Sequence, residues 1–326
     1  MVMAMARLNM IVPSGDTQEV ADRYRTMLEM ASFMDENGFT GVTFEEHHGA
    51  HNAWSPTPMM NAAMVAARTQ NLSMTISALL LPLHDPIRVA EDLAVLDIVS
   101  GGRAVTIFGL GYRPSEYSLH GKDWDGRGDL FTECVDTVLK AWSGEPFEYR
   151  GEMVTVRPRP ITQPHPTLFL GGTSRPAARR AARFGLPLFT AANIPELETY
   201  YYEQCAEHGT QGFCMMPSAA TQMLFVDHDP DKAWAELGDC FLHEASTYAG
   251  WQTADISSVM TSKANTAEEL RKEGIYVVKT PEECLAKAKE DGDLAAFNLH
   301  PLCGGLPIER GWDSLRLFTE EVLAKC

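Results

Sequence analysis

Two carboxylates and two imidazoles stand side by side directly after a predicted strand. Residues 40–44 are mostly β-branched or aromatic and predict a buried strand, and it is followed at once by Glu45, Glu46, His47 and His48. In a barrel of parallel strands, residues just past a strand's carboxyl end lie on the face where active sites are built. Burying these groups without partners would be costly, so we expect them to face solvent or a ligand. Alone, the stretch predicts either one wall of a cofactor site or a metal cluster.

Composition indicates a globular enzyme. The 326 residues are 45% hydrophobic and 22% charged, which is typical of a chain with a sizeable core. The net charge of −17 argues against nucleic acid or an anionic membrane as a partner. The seven cysteines are odd in number and none has C-x-x-C spacing. The first residues lack a signal-peptide pattern, and no apolar run approaches membrane-spanning length, so we expect a cytoplasmic protein.

Strand and helix patterns alternate along the chain, which predicts an α/β fold with a parallel sheet. The predicted strands cover residues 8–12, 40–44, 72–81, 104–108, 167–170, 186–190, 220–226 and 295–299. Eight such strands indicate a single (β/α)₈ TIM barrel over residues 1–326. Residues 146–156 predict an extra β-hairpin. Residues 250–279 are polar and weakly periodic, and we expect them to form a long mobile lid loop.

Several motifs occur in a fixed order along nearly the whole chain. They are Glu46-His47-His48, the stretch 81–86 (Leu-Pro-Leu-His-Asp-Pro), the stretch 90–103 ending in Ser-Gly-Gly-Arg, Gly109-Leu110-Gly111-Tyr112, Gly171-Gly172-Thr173-Ser174, Phe184-Gly185-Leu186-Pro187 and Asn298-Leu299-His300-Pro301. In this order the chain resembles the bacterial-luciferase-like family of flavin-dependent monooxygenases. The resemblance implies a (β/α)₈ barrel, usually a homodimer.

The resemblance also implies a cofactor and a reaction. Family members bind reduced FMN, or in one branch a deazaflavin, at the carboxyl end of the barrel. A separate NAD(P)H:flavin reductase supplies the reduced FMN, O₂ adds at the flavin C4a position, and the resulting (hydro)peroxide attacks an organic substrate such as an aldehyde or ketone. We therefore expect a two-component flavin monooxygenase acting on a small or lipophilic substrate, with the flavin carrying the chemistry.

Site residues follow from the same resemblance. His47 matches the family's active-site histidine, and Glu46 would orient it or contact the flavin, whereas Glu45 and His48 are expected to be structural. The cofactor-binding residues would be Ser77, Ala78, Gly109, Leu110, Gly111, Tyr112, Gly171, Gly172, Thr173 and Ser174. At the position of Ser77-Ala78 the family often carries a cis peptide bond behind the flavin ring.

The glycine turn suits a phosphate because it follows a strand and opens a helix, which offers free N–H groups and two hydroxyls. The competing interpretation is that Ser174 is a plain helix N-cap. Arg175 would add charge if its side chain turned inward. The luciferase catalytic subunit has a reactive cysteine where Gly109 falls and an arginine where Leu110 falls, so we do not expect light emission. Tyr112 and Arg113 are candidates to replace the lost polar contacts.

Three alternatives remain at this point. A metal-dependent barrel hydrolase would use Glu46, His47, His51, His84 and His300. A luciferase relative that binds flavin without catalysis would need no functional histidine. A member of the deazaflavin branch would transfer hydride instead of activating oxygen.

Overall fold

A computed structural model describes residues 2–218, 222–252 and 258–326. Within these ranges the strands are β1 (Met3–Arg7), β2 (Gly41–Phe44), β3 (Ser73–Leu80), β4 (Ala104–Gly109), β5 (Phe147–Tyr149), β6 (Glu152–Val154), β7 (Thr167–Gly171), β8 (Leu188–Phe189), β9 (Cys214–Met215), β10 (Met223–Val226), β11 (Tyr276–Lys279) and β12 (Ala296–Leu299). The α-helices are α1 (Thr17–Glu36), α2 (Pro58–Ala66), α3 (Pro86–Ser100), α4 (Pro114–Leu119), α5 (Arg127–Ser143), α6 (Arg175–Phe184), α7 (Pro195–His208), α8 (Pro230–Trp251), α9 (Ala267–Glu273), α10 (Pro281–Asp291) and α11 (Ile308–Glu321).

Ten of the described strands form one sheet in the order β11-β10-β12-β1-β2-β3-β4-β7-β8-β9, and all their pairings are parallel. Strand β1 shows how the two faces of the sheet differ. Ala4 and Ala6 are fully buried in the main core, whereas Met3, Met5 and Arg7 line a central cavity. Since all ten strands contribute residues to that cavity, the sheet curves around it. The predicted α/β barrel class is confirmed.

Three sequence expectations about the elements are wrong. The first strand is Met3–Arg7 and not residues 8–12. Its small residues Ala4 and Ala6 face the packed side of the sheet, whereas the more apolar stretch that follows is buried outside the strand ladder. Strands β9 and β11 were not predicted at all. The expected irregular lid at 250–279 instead contains α9 and β11, and its residues 253–257 lie outside the described ranges.

The predicted hairpin is confirmed. Strands β5 and β6 pair antiparallel and are joined by Arg150 and Gly151, both with positive φ (51° and 85°). Two positive φ values at the centre of a two-residue turn match the twist of the flanking strands. A search of the described residues for membrane spans identified no helix with the length and hydropathy to cross a bilayer.

Two glycines in helices provide a test of the packing around the barrel. A β-carbon on Gly311 in α11 would overlap the carbonyl oxygen of Pro301, whereas one on Gly250 in α8 meets no atom of the described residues within 4 Å. We expect Gly311→Ala to lower the free energy of unfolding by about 1–3 kcal/mol, the usual cost of overpacking. Gly250→Ala should leave it unchanged or raise it by up to about 1 kcal/mol, because alanine favours a helix. Urea unfolding of both variants measures this, and equal effects would contradict the packing described.

Candidate functional site

The central cavity brings together all twelve residues that the sequence predicted to be catalytic or to bind the cofactor. Its volume is about 1630 Å³, more than the roughly 300–1,000 Å³ that one drug-sized ligand needs. The candidates that line it are Glu46, His47, Ser77, Ala78, Gly109, Leu110, Gly111, Tyr112, Gly171, Gly172, Thr173 and Ser174. The cavity therefore has room for a cofactor and a second small molecule.

One wall of the cavity is formed by strands β3 and β4 where they approach closely. The peptide bond between Ser77 and Ala78 is cis, as the resemblance implies. A β-carbon on Gly109 would lie 2.9 Å from the Ala78 β-carbon, closer than real side chains pack. Glycine at this position therefore allows the two strand ends to meet, with the small residues Ser77, Ala78 and Gly109 lining the cavity.

The glycine turn after β7 forms a second wall. A β-carbon on Gly172 would lie 2.5 Å from the β-carbon of Ala177, so only glycine lets the turn pack against α6. Ser174 is the N-cap of α6, yet among the described residues its side chain makes no capping hydrogen bond. The first N–H groups of α6 thus stay available beside the cavity, a favourable arrangement for an anion. The residues present fit the phosphate group of a flavin nucleotide.

The arginines near this turn differ from the sequence expectation. Arg175 does not turn inward, because its guanidinium lies 5.0 Å from the ring centroid of Tyr200. Two other arginines, Arg127 and Arg180, line the cavity instead. Sequence reasoning missed both, since each lies inside a helical segment with nothing in its local pattern to mark it.

His47 is buried beneath a group of aromatic rings. Its ring centroid lies 5.0 Å from that of Trp54 and 4.9 Å from that of Trp251. The Nε2 atom is 3.8 Å from Glu45 Oε2, and Nδ1 has no hydrogen-bond partner among the described residues. Burial lowers the pKa of His47 from 6.5 to about 4, so the imidazole is neutral at pH 7 and able to accept a proton.

Two carboxylates face His47, with Glu45 at 3.8 Å from Nε2 and Glu116 at 4.0 Å from Nδ1, which corrects the expectation that Glu46 orients the ring. The guanidinium of Arg7 donates to both Glu45 oxygens, and Trp54 Nε1 donates to Oε2 at 3.0 Å. Burial alone would raise the pKa of Glu45, but the charge and hydrogen bonds of Arg7 lower it. The expectation that both glutamates face solvent or a ligand is also wrong in part, because each is buried with partners from the protein.

Glu46 is bound to two other histidines. Its Oε1 atom lies 2.8 Å from His48 Nε2 and 2.6 Å from His84 Nε2, while Oε2 accepts a 2.6 Å hydrogen bond from the Leu80 amide. Burial would raise the pKa of Glu46, but the hydrogen bonds from His48 and His84 lower it to about 2. Glu46 therefore anchors the loop after β2 to the end of β3.

A third carboxylate lies deeper, on α8, and sequence reasoning missed it. Glu244 is fully buried, and its side-chain oxygens contact six groups: Arg7 Nη1, Asn9 Nδ2, Tyr276 Oη, His300 Nε2, Cys303 Sγ and the Gly304 amide. Burial would raise the pKa of Glu244, but the neighbouring His300 and Arg7 hold it well below its usual range. Arg7 thus bridges Glu244 and Glu45.

The residues of the hydrolase alternative fall into separate groups. Glu46 and His84 contact each other, whereas His300 is part of the Glu244 group. Two sets of potential metal ligands each have donor atoms within 4.8 Å of one another. One set is Glu46, His48 and His84, and the other is Glu244, His300 and Cys303. In the second group, the positive charge of Arg7, which lies 3.2 Å from Glu244, would repel a metal cation. The five residues proposed for that hydrolase do not converge on one point.

Arg113 does not replace the polar contacts that Leu110 lacks. Its Nη1 atom donates to Glu116 Oε1 at 2.9 Å and to the His48 carbonyl at 3.1 Å, and its guanidinium lies 4.2 Å from the Trp251 ring centroid. Tyr112 does line the cavity, and its hydroxyl has no hydrogen-bond partner in the described ranges. Tyr112 therefore has a buried hydroxyl beside the cavity that is unpartnered within the described ranges.

The structure is an α/β barrel whose central cavity is lined by small residues of β3 and β4, by the glycine turn before α6 and by a buried neutral histidine. Residues 3–294 match the sequence model of the luciferase-like monooxygenases. The chain belongs to this family.

Individual relatives differ in cofactor and substrate. The chain is 27% identical over 48% of its length to the oxygenase component of the flavin-dependent trigonelline monooxygenase of Acinetobacter baylyi. Matches to this and two further curated relatives span only 45%, 50% and 58% of those proteins' lengths.

Two solved structures share the fold over nearly the whole chain. One is the oxygenating constituent of the 3,6-diketocamphane monooxygenase of Pseudomonas putida in complex with FMN, with a TM-score of 0.72, 19% identity, and coverage of 100% of this chain and 98% of that one. The other is an F420-dependent secondary alcohol dehydrogenase, with a TM-score of 0.67, 20% identity, and coverage of 99% of each chain. At these identities the likeness establishes the fold.

The depressed pKa of His47 makes stability depend on pH. Between pH 6.5 and about 4.5 the unfolded chain protonates this histidine while the folded protein does not, so the free energy of unfolding falls as the pH falls. In His47→Gln, the fall in the free energy of unfolding between pH 7 and 4.5 should be smaller by roughly 2–3 kcal/mol. Urea titrations at pH 7 and 4.5 measure it, with the surface variant His228→Gln as control. Parallel pH profiles for His47→Gln and the unmodified protein would contradict a buried neutral imidazole.

Proposed function

We propose that this protein is the oxygenase component of a two-component flavin monooxygenase. It would use reduced FMN and O₂ to oxygenate a small or lipophilic organic substrate, such as an aldehyde or ketone. The observation that carries the proposal is that His47, buried and neutral, lines the same cavity as Ser77, Ala78 and the glycine turn at residues 171–174. Family membership supports it.

Each wall has a distinct task in this proposal. Bound reduced flavin supplies the electrons that activate O₂. The turn at Gly171–Ser174 would bind the flavin phosphate, and the surface at Ala78 and Gly109 would support its ring. Glu45 lies 3.8 Å from His47 Nε2 and Glu116 lies 4.0 Å from Nδ1, and the neutral imidazole between the two carboxylates would take up a proton during the reaction.

The reduced cofactor would come from a separate NAD(P)H:flavin reductase, and because that enzyme draws on NAD(P)H we place the reaction in the cytoplasm.

Deazaflavin is the alternative cofactor. Fluorescence quenching would compare the affinity of the protein for FMN with its affinity for a deazaflavin. Incorporation of ¹⁸O from ¹⁸O₂ into the product of a substrate panel, with photoreduced FMN, tests oxygenation itself. Tight deazaflavin binding with no label incorporated would reject the proposal in favour of hydride transfer.

The role of His47 is testable by substitution. We expect His47→Ala to keep the FMN affinity within about threefold, because the phosphate turn and the Ser77-Ala78 wall are untouched. Oxygenation should fall by roughly 10²–10⁴-fold, the usual contribution of a general acid–base group. His228→Ala, at an exposed position, serves as control. Normal turnover of the His47 variant would show that the proton acceptor lies elsewhere.

We also propose a homodimer formed through helices α2 and α3. Met60 on α2 and Val95, Ile98 and Val99 on α3 are exposed apolar side chains on two helices that pack together. Such a surface marks a protein contact.

The dimer has a direct test. Met60→Asp combined with Val99→Asp should shift the molar mass measured by light scattering from dimer to monomer, because two carboxylates would be buried unpaired in the interface. Met153→Asp, on the exposed hairpin, should leave the mass unchanged. A dimer that persists in the double variant would place the contact on another face.

A further inference from the structure

Methionine side chains recur in the wall of the central cavity. Six of the chain's sixteen methionines line it: Met3, Met5, Met215, Met216, Met223 and Met260. None of the seven cysteines lines this cavity in the described part of the chain. Thioether groups are therefore the sulfur atoms that a reactive molecule in the cavity meets there. Leucine would give a wall of similar volume with no sulfur to oxidise.

The methionines on the strands share the cavity with the candidate site. Met215 on β9 pairs with Phe189 on β8, which in turn pairs with Gly171 at the end of β7. Met5 on β1 is two residues before Arg7, and both line the cavity. Methionine thus occurs at the level of the glycine turn and also deeper in the barrel.

The sulfur atoms of the six methionines differ in their hydrogen bonding. Those of Met216 and Met223 accept hydrogen bonds at 3.4 Å and 3.3 Å. Among the described residues, no donor reaches the sulfur of Met5, Met215 or Met260. Because a sulfur lone pair is the group that reacts with an oxidant, these three thioethers are the more nucleophilic ones.

The proposed reaction has a side product that oxidises thioethers. When no organic substrate is bound, reduced FMN and O₂ give oxidised FMN and hydrogen peroxide, because O₂ takes up two electrons and two protons. A thioether sulfur donates a lone pair to one oxygen atom of hydrogen peroxide. An S–O bond forms, the O–O bond breaks, and the second oxygen leaves as water. The product, methionine sulfoxide, is a polar side chain.

We propose that Met5, Met215 and Met260 are oxidative modification sites, at which hydrogen peroxide formed inside the cavity oxidises the protein to methionine sulfoxide. This inference rests on the proposed function. The three sulfur atoms line the space in which the peroxide forms, so they meet it before it reaches solution. Each sulfoxide replaces an apolar group of the cavity wall by a polar one. Turnover without substrate therefore makes the wall more polar.

Other methionines of the same chain serve as internal controls. Met153, on the β5–β6 hairpin, is 68% exposed, compared with 40% for Met215. Met30 and Met74 are fully buried in the main core. Hydrogen peroxide added to the solution should oxidise Met153 first, because the most exposed sulfur meets it most often. Peroxide formed in the cavity should give the opposite order, and the two core methionines should stay unmodified in both cases.

Peptide mass spectrometry of the full-length protein measures oxygen addition at each methionine. FMN below the protein concentration, NADH, a flavin reductase and air supply turnover without organic substrate, in the dark, while catalase destroys the peroxide that escapes. We expect Met5, Met215 and Met260 to be oxidised about fivefold faster than Met153 under these conditions. Hydrogen peroxide added to flavin-free protein without catalase should oxidise Met153 faster than any of the three.

The outcomes separate the inference from the proposed function. If bound FMN consumes O₂ but catalase abolishes the oxidation of the three cavity methionines, the peroxide reaches them from solution, and the inference fails while the proposed function stands. Oxidation of Met153 as fast as that of the cavity methionines in the presence of catalase would also overturn it. If the protein does not bind FMN, or if bound reduced FMN does not react with O₂, the proposed function fails and the inference fails with it.

Discussion

The arrangement of the site depends on one buried cation, Arg7. Its guanidinium lies between Glu45 and Glu244, both buried, and donates to each. Two desolvated carboxylates without that cation would cost several kcal/mol each, so the three groups are stable only together. Because Arg7 ends β1, Glu45 follows β2 and Glu244 is on α8, the ion network fixes two strand ends and a helix relative to each other.

The surroundings of His47 follow from this network. Arg7 keeps Glu45 ionised, and Glu45 faces the imidazole at 3.8 Å without a close ion pair. Burial among Trp54 and Trp251 therefore dominates the pKa of His47, and the ring stays neutral. A closer, unshared carboxylate would have favoured the protonated ring, which has no lone pair to offer. Because Glu45 is also bound by Arg7, the imidazole of His47 keeps its unprotonated form.

The sequence predicted the fold class and the set of cavity-lining candidates because both depend on local patterns and motif order. It failed where the choice depends on contacts across the chain. Residues 8–12 have the more strand-like composition, but the register with β2 and β12 selects Met3–Arg7. Whether Glu45 or Glu46 faces His47 is decided by strand-end geometry and by His84, 38 residues from Glu46. Glu244 lies inside an ordinary amphipathic helix, where no local signal distinguishes it.

Helix α8 carries both the deep carboxylate and part of the aromatic surroundings of His47. Glu244, Tyr248 and Trp251 are spaced by four and three residues, so they share one helix face. A rotation or shift of this helix that reshaped the cavity near Tyr248 would pull Glu244 away from Arg7. Variation in substrate preference among related sequences should therefore be concentrated in loops on the opposite side of the chamber, while this helical face changes little.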